Sequence, residues 1–334
     1  MLAPRSRFTQ RATGAADISV VIPSINRTDL ALETVRSVLG QSRPVREIIV
    51  VTNGSEEHTA FWQANAGGKV RIVRQPVSGQ QAARNAGIEA AVSTWVAMLD
   101  DDDLYLPDFI ESVMPAIADG RADVIATDHR KFHVDRVDRK TNFEAAPRGY
   151  WKGIRPAKAQ DEWSFVGKFP LHLLLKRVPI YPSTTVMRRD FALGIGGYDP
   201  KMKGIRAEDV EFLIRALTYG MVSLVWRPLV SYRVHDGNLS NNPALRAIGR
   251  WRIFEFARHN HPHLPASFCR AMDRDLPRRR RRIFKLAYDL GDLNLMEEAW
   301  SGLRPHQITP AVLFLKFAAT LSRRGSARLV AQAP

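Results

Sequence analysis

Three short apolar runs in this chain each stop abruptly at a polar cluster. Ile18–Pro23 (ISVVIP) ends at Ser24 and Asn26, Glu47–Val51 (EIIVV) at Thr52 and Asn53, and Trp95–Leu99 (WVAML) at Asp100–Asp103. Continuous apolar runs of this length read as strands buried on both faces, the pattern of a parallel sheet. Helical patterns lie between them. After Asn26-Arg27-Thr28-Asp29, Leu30, Leu32, Val35 and Val38–Leu39 recur at roughly helical spacing, and Gly40 with Pro44 closes the segment. Val70–Val73 and Val124–Ala126 read as further strands, Gly79–Val92 as a helix, and Pro107 as the first position of another helix. The alternation predicts an α/β fold with a mostly parallel central sheet flanked by helices. Ligands of such sheets bind outside the carboxyl ends of the strands, so the three polar clusters are expected to face one crevice.

The remainder is read more coarsely. His129–Pro182, with Trp151 and Trp163, is expected to form loops and short elements that wall the site. A helix follows Ala207, because Val210, Leu213, Ile214 and Leu217 fall at i, i+3, i+4 and i+7. Short strands are expected around Val222–Trp226 and Val230–Val234, and from about Pro243 the pattern turns helical, with the run Arg278–Arg282 interrupting it. The organisation expected is a flexible basic N-terminal tail over 1–16, an α/β domain over 17–243 and a basic helical C-terminal extension over 244–334.

Charge narrows the partners. The chain holds 49 Lys and Arg against 34 Asp and Glu, and residues 244–334 alone carry 17 basic and 7 acidic side chains. Residues 1–16 add three Arg and no acid, which leaves the middle near +2. A basic tail on a nearly neutral body suits an anionic surface, such as a membrane, and argues against a nucleic-acid binder. Cys269 is the sole cysteine, so a disulfide framework and a Cys-rich metal site are excluded. That composition, the lack of an apolar signal core near the start and the lack of any apolar run of about 18 residues lead us to expect a cytoplasmic protein that lies on a membrane without crossing it.

Asp100-Asp101-Asp102-Asp103 carries the strongest chemical signal. Four adjacent carboxylates repel one another unless a cation neutralises them. Hard divalent ions such as Mg²⁺ or Mn²⁺ favour carboxylate oxygens and share their sites with substrate phosphates. The competing reading is a solvated acidic turn ahead of the Pro107 helix; the position after an apolar strand favours the metal. Alternation along an extended turn would point Asp100 and Asp102 the same way. Glu208-Asp209 opens a helix, where acids are favoured by the helix dipole alone.

These motifs resemble, in order, those of the family-2 glycosyltransferases, whose nucleotide-sugar-binding fold is called GT-A. They are ISVVIPSINR (18–27), EIIVVTNGS (47–55), GQQAARNAGIEAA (79–91), MLDDDDLYLP (98–107), GGYDP (196–200), RAEDVEFLIRA (206–216) and YRVHDGNLS (232–240). The resemblance implies an inverting transfer of sugar from a nucleotide-diphosphate donor, with uracil as the usual base, to a glycan or glycolipid acceptor in cell-surface polysaccharide or glycolipid synthesis. It implies that Pro23, Ser24, Asn26, Arg27, Asn53, Arg84, Asp100 and Asp101 bind the nucleotide sugar, with Asp100 near the ribose. Asp102 and His235 are the implied ligands of Mn²⁺ or Mg²⁺. Asp209 is the implied general base, and Glu208 supports it. Asn85 and Gly87 are expected to be structural.

One position departs from the family pattern. The family's second strand usually ends in two acids, the second of which reads the base; Thr52 and Asn53 stand there instead. An amide can still donate to and accept from an imide edge. Two other readings share parts of this pattern: a nucleotidyltransferase, and a catalytically inactive nucleotide-sugar-binding protein associated with a membrane. The first needs a Gly- and Arg/Lys-rich phosphate loop after the first strand, which PSINR does not supply.

Overall fold

The computed structural model describes residues 16–24, 27–52, 56–65, 68–77, 79–154, 163–235 and 242–319. Asn26 and Asn53 lie outside the described residues. The chain divides into two compact units. One holds the described residues up to Gly204 and from Glu211 to His235; the other holds Ile205–Val210 and the described residues from Asn242 onward.

The first unit runs β1 (Ala16–Pro23), α1 (Thr28–Leu39), β2 (Val45–Thr52), α2 (Glu56–Asn65), β3 (Val70–Arg74), α3 (Gln80–Ala90) and β4 (Trp95–Met98). It continues with β5 (Leu104–Tyr105), α4 (Phe109–Asp119), β6 (Val124–Phe132), β7 (Trp163–Gly167), α5 (His172–Lys176), β8 (Thr185–Arg188) and α6 (Arg189–Gly194). Most of α7 (Asp209–Tyr219) and all of β9 (Val222–Arg233) complete it.

One sheet of nine strands, ordered β3-β2-β1-β4-β8-β6-β9-β5 with β7 also on β9, organises this unit. The half β3-β2-β1-β4 is parallel throughout. Its strands therefore end at one edge of the sheet, with Pro23 opposite Val51 and Val21 opposite Met98. β8 then runs antiparallel to both β4 and β6, while β6 and β9 are parallel. The chain leaves β4 at Met98 and resumes pairing at Leu104, against Ser231 of β9, so the four aspartates occupy the link between two strands.

The apolar runs behave as double-sided strands must. Ile18, Val20, Ile22, Ile48, Val50, Trp95 and Ala97 face a core completed by Val35 and Val38 of α1, Trp62 of α2 and Phe109, Ile110 and Val113 of α4. The opposite face receives α3, and here a glycine is required. A Cβ on Gly87 would sit 2.2 Å from Val21 Cγ1 and 3.1 Å from Val51 Cγ2, so the helix packs against β1 and β2 only without a side chain there. α4 ends at Gly120, whose φ of +72° is the left-handed cap that glycine adopts without strain.

The region His129–Pro182 holds short elements between loops, as expected: the end of β6, β7 and α5. Three local expectations are revised. Pro107 lies in the turn before α4, whose cap is Asp108, because the amide of Phe109 still bonds the Leu106 carbonyl. The two short strands expected after Met221 are one strand, β9, whose register shifts beside Thr127–His129 keep it paired across Pro228. Arg278–Arg282 does not interrupt a helix but lies within one.

That helix belongs to the second unit, which consists of α8 (Pro243–Asn260), α9 (Ala266–Asp289), α10 (Leu293–Ser301) and a helical stretch over residues 310–319. Trp251 and Phe254 of α8, Phe268, Met272, Leu276, Ile283 and Phe284 of α9, and Leu295 and Met296 of α10 are buried in it. α9 continues through Pro277 because these apolar side chains hold both its halves in the packed interior. No helix among the described residues is long and apolar enough to cross a membrane.

Candidate functional site

The residues after β4 form a tight turn in which the Asp103 amide donates to the Asp100 carbonyl at 3.1 Å. The turn replaces strand alternation, and the four carboxylates go to different partners. Asp100 accepts from Arg84 Nη2 at 2.9 Å. Asp101 and Asp102 share Arg27, whose Nη1 donates to Asp102 Oδ2 at 2.5 Å while Nη2 pairs with Asp101. His235 Nε2 lies 3.1 Å from the same Asp102 oxygen.

Asp103 points inward and anchors the turn. It accepts from Ser183 Oγ at 2.6 Å and from the Arg233 amide at 2.9 Å, and its carbonyl accepts from Thr34 Oγ1 at 2.8 Å. Ser183 Oγ also receives the Asp100 amide at 3.1 Å, and Arg233 Nε donates to the Asp102 carbonyl at 2.9 Å. Sequence reasoning missed Ser183, Thr34 and Arg233, all of which meet the turn only through tertiary packing.

Electrostatics follow from burial. Burial pushes Asp101 up to about 7 against the pull of Arg27, and Asp102 and Asp100 add to the rise. Burial, with Asp102 and Asp100 beside it, also raises Asp103 well above the usual carboxylate range. For Arg27, burial works to lower the pKa, but the Asp101 and Asp102 charges more than offset it. Among the described residues, the turn thus holds four acids beside the guanidiniums of Arg27, Arg84 and Arg233 and the imidazole of His235.

Arg84 comes from α3, with its side chain 3 % exposed and its guanidinium 5.2 Å from the centre of the Tyr198 ring. The next residue, Asn85, clamps the Tyr198 backbone in both directions, donating to its carbonyl at 2.8 Å and accepting from its amide at 2.7 Å. Gly197, at φ +60°, is needed beside it, since a Cβ would lie 2.6 Å from Asn85 Oδ1. On α7, fully buried Glu211 makes a two-point pair with Arg215 at 2.6 and 2.7 Å, and Arg215 also donates to the Ile195 and Gly197 carbonyls. The GGYDP loop is therefore fixed by α3 on one side and α7 on the other.

Pro23 and Ser24 sit buried at the end of β1, with the Ser24 amide bonded to the Val51 carbonyl at 2.8 Å. Thr52 ends β2, also buried. In the second unit, Asp209 is the first residue of α7 and Glu208 immediately precedes it, both half-buried. Ala207, just before them, is the single non-glycine residue among those described with a left-handed φ, +66°. That conformation costs about 1–2 kcal/mol and singles out the segment as locally strained.

Asp102 and His235 converge as a carboxylate–imidazole pair, a donor set that suits a divalent transition ion such as Mn²⁺. Among the described residues, no three His, Cys, Asp or Glu side chains form a group able to hold a metal. Two protein donors by themselves would leave the remaining positions of such an ion to ligand oxygens, as is usual where a metal is shared with phosphates.

The family model described as glycosyl transferase family 2 matches residues 19–193. An uncharacterized glycosyltransferase of Rickettsia conorii is 38 % identical over 258 residues, covering 71 % of this chain and 41 % of its own. The chain spans 41 % of the length of the Rickettsia felis relative as well. The succinoglycan biosynthesis protein ExoO of Rhizobium meliloti is 33 % identical over 115 residues, which is 34 % of this chain and 33 % of ExoO. Among solved structures, S. aureus TarS 1-349 in complex with UDP-GlcNAc superposes with a TM-score of 0.57 at 16 % identity, covering 84 % of this chain and 79 % of that one. At that identity the likeness shows a shared fold.

Proposed function

The chain belongs to glycosyl transferase family 2, and from that membership we propose that it moves a sugar, with inversion, from a nucleotide-diphosphate donor to an acceptor hydroxyl. The observation that carries this reading is the acidic turn at the carboxyl ends of the parallel strands. There Asp102 and His235 stand 3.1 Å apart and Arg27 and Arg84 flank the carboxylates. A uridine diphosphate sugar is the proposed donor, in keeping with the TarS complex. A glycan or glycolipid of the cell surface is the proposed acceptor, in keeping with ExoO.

In this proposal Pro23, Ser24, Asn26 and Asn53 take the nucleoside, Asp100 the ribose, and Asp101 with Arg27 and Arg84 the diphosphate side. Asp102 and His235 would hold Mn²⁺ or Mg²⁺, which would supply positive charge beside the departing diphosphate. The Asp209 carboxylate takes the proton of the acceptor hydroxyl, and Glu208 helps to position that acceptor. The hydroxyl oxygen bonds to the anomeric carbon from the face opposite the nucleotide. The bond to the diphosphate oxygen breaks with its electron pair on that oxygen, so no covalent sugar–enzyme intermediate is needed. The proposed place of work is the cytoplasmic face of the cell membrane.

The test is transfer from a panel of radiolabelled nucleotide sugars to membrane glycolipid extracts, by the wild type and by Asp209→Asn. The proposal expects product from the wild type and a loss of about 10²–10⁴-fold in turnover in the variant, the usual range for removal of a general base. Near-full turnover by Asp209→Asn overturns the assignment of the base.

A further inference from the structure

The second unit contains far more positive charge than it can neutralise, and the structure sorts that charge by helix face. Of the 7 acidic residues in 244–334, five are consumed in ion pairs inside the unit. Glu255 takes Arg280, Asp273 takes Arg258, Asp275 takes Arg279, Glu297 takes Lys316 and Glu298 takes Arg252. Asp292 caps α10 by accepting from the Leu295 amide. Only exposed Asp289 has no such contact among the described residues.

The run Arg278–Arg282 splits accordingly. Arg279 lies over the Phe254 ring besides pairing with Asp275, Arg280 reaches Glu255 at 2.5 Å, and Arg281 donates to the Gln307 carbonyl at 3.1 Å. These three tie the unit together. Arg278 and Arg282 are exposed, and they continue a series on α9 made of Arg270, Arg274, Arg278, Arg282 and Lys285, all exposed. At 3.6 residues per turn the series occupies about a third of the helix circumference and runs about 22 Å along the axis. None of the five makes an ion pair among the described residues.

Such a stripe is costly by itself, since like charges at i,i+4 destabilise a helix by a few tenths of a kcal/mol per pair. The same unit exposes an apolar set on the helical stretch 310–319: Leu313, Phe314 and Phe317 are 57 %, 68 % and 62 % exposed, at the spacing of one helix face. Surplus Arg and Lys together with exposed Phe and Leu are the two components with which a peripheral helix binds an anionic lipid interface.

We propose that the Arg270–Lys285 face of α9, with Leu313, Phe314 and Phe317, is the surface by which this protein docks on anionic phospholipid. This deepens the reading of a membrane-surface enzyme and rests on it. The stripe supplies attraction to lipid headgroups, and the aromatic pair supplies insertion at the headgroup boundary. A duplex nucleic acid would use the charge but not three exposed apolar side chains.

The experiment is flotation of the full chain with phosphatidylcholine vesicles, with and without phosphatidylglycerol, beside a DNA mobility-shift arm and a transfer assay on a soluble acceptor. The wild type is expected to float with phosphatidylglycerol vesicles only, and to be released by high salt. The triple variant Arg274→Ala/Arg278→Ala/Arg282→Ala should partition about a hundredfold less while keeping its melting temperature and its transfer to the soluble acceptor. Phe314→Ser/Phe317→Ser should weaken binding in a way that salt does not mimic. Equal flotation with neutral vesicles, undiminished flotation of the triple variant, or DNA binding without vesicle binding would overturn the docking surface. Vesicle binding without transfer to any acceptor supports the surface and instead overturns the proposed enzymatic function.

Discussion

Arg27 Nη1 donates to Asp102 Oδ2 at 2.5 Å, so the carboxylate proposed to hold a divalent ion already carries a cation belonging to the chain. The same guanidinium pairs with Asp101, which makes Arg27 the principal counter-ion of the inner half of the acidic turn. Arg27 thereby stabilises the acidic turn and, if Asp102 takes a metal as proposed, would compete with that ion for the same carboxylate.

Replacing Arg27 with Gln is accordingly expected to act in opposite directions on two measurements. Binding of Mn²⁺ to the free protein, read by the loss of its free-ion electron paramagnetic resonance signal, should tighten by about tenfold, the scale of one charge-assisted hydrogen bond. The melting temperature without metal should fall, because Asp101 and Asp102 lose their counter-charge. Unchanged or weaker Mn²⁺ binding would contradict the competition.

Acid stability should depend on His129. It is buried between Tyr181 and Tyr232, and burial, with Lys131 and Arg177 nearby, lowers its pKa to about 3. A histidine whose folded pKa is depressed contributes stability above its ordinary pKa of about 6.5, and that stability is lost as the pH falls toward the folded value. Relative to His129→Leu, the wild type should lose up to about 1.4 kcal/mol of urea-unfolding stability per pH unit between about pH 6 and 4. The comparison with the variant cancels the contribution of Asp128, which burial moves the other way, up to about 6. Parallel pH curves for the two proteins would contradict this.

Arg215→Met should be among the most damaging substitutions away from the acidic turn. It leaves Glu211, at 0 % exposure, as a carboxylate without its two-point partner, and it frees the Ile195 and Gly197 carbonyls. The expected loss is about 3–5 kcal/mol in chemical denaturation. The double variant Glu211→Leu/Arg215→Met should recover a substantial part of it.

Gly87→Ala tests the packing that aligns α3 with the ends of β1 and β2. Alanine favours a helix, yet its Cβ would meet Val21 at 2.2 Å. Overpacking should therefore win, with a loss of about 1–3 kcal/mol by urea unfolding. A gain in stability would show that α3 can shift freely.

What was legible in the sequence was local. Apolar runs such as Ile18–Pro23 and Trp95–Leu99 gave the parallel half of the sheet, because burial on both faces writes itself as unbroken hydrophobicity. The acidic turn and its location at strand ends followed from the same runs. The partners of the carboxylates were less legible. Arg27 and Arg84 could be assigned to the site, but not matched to particular aspartates. Ser183 and Arg233 lie 80 and 130 positions from Asp103 and reach it only because β8 and β9 return beside β4 and β5. The arginine run misled for a related reason. A string of five basic residues looks uniform along the chain, whereas on α9 three of them turn toward carboxylates or a carbonyl and two face solvent.

The most direct measurement is calorimetric binding of UDP to the wild type and to Asp102→Asn, each with Mn²⁺ and with chelator. The account predicts that the wild type binds UDP strongly only when Mn²⁺ is present, and that the variant, still folded, loses this metal-dependent affinity. Equal UDP affinity with chelator, or in Asp102→Asn, would contradict a metal-bridged diphosphate at the acidic turn.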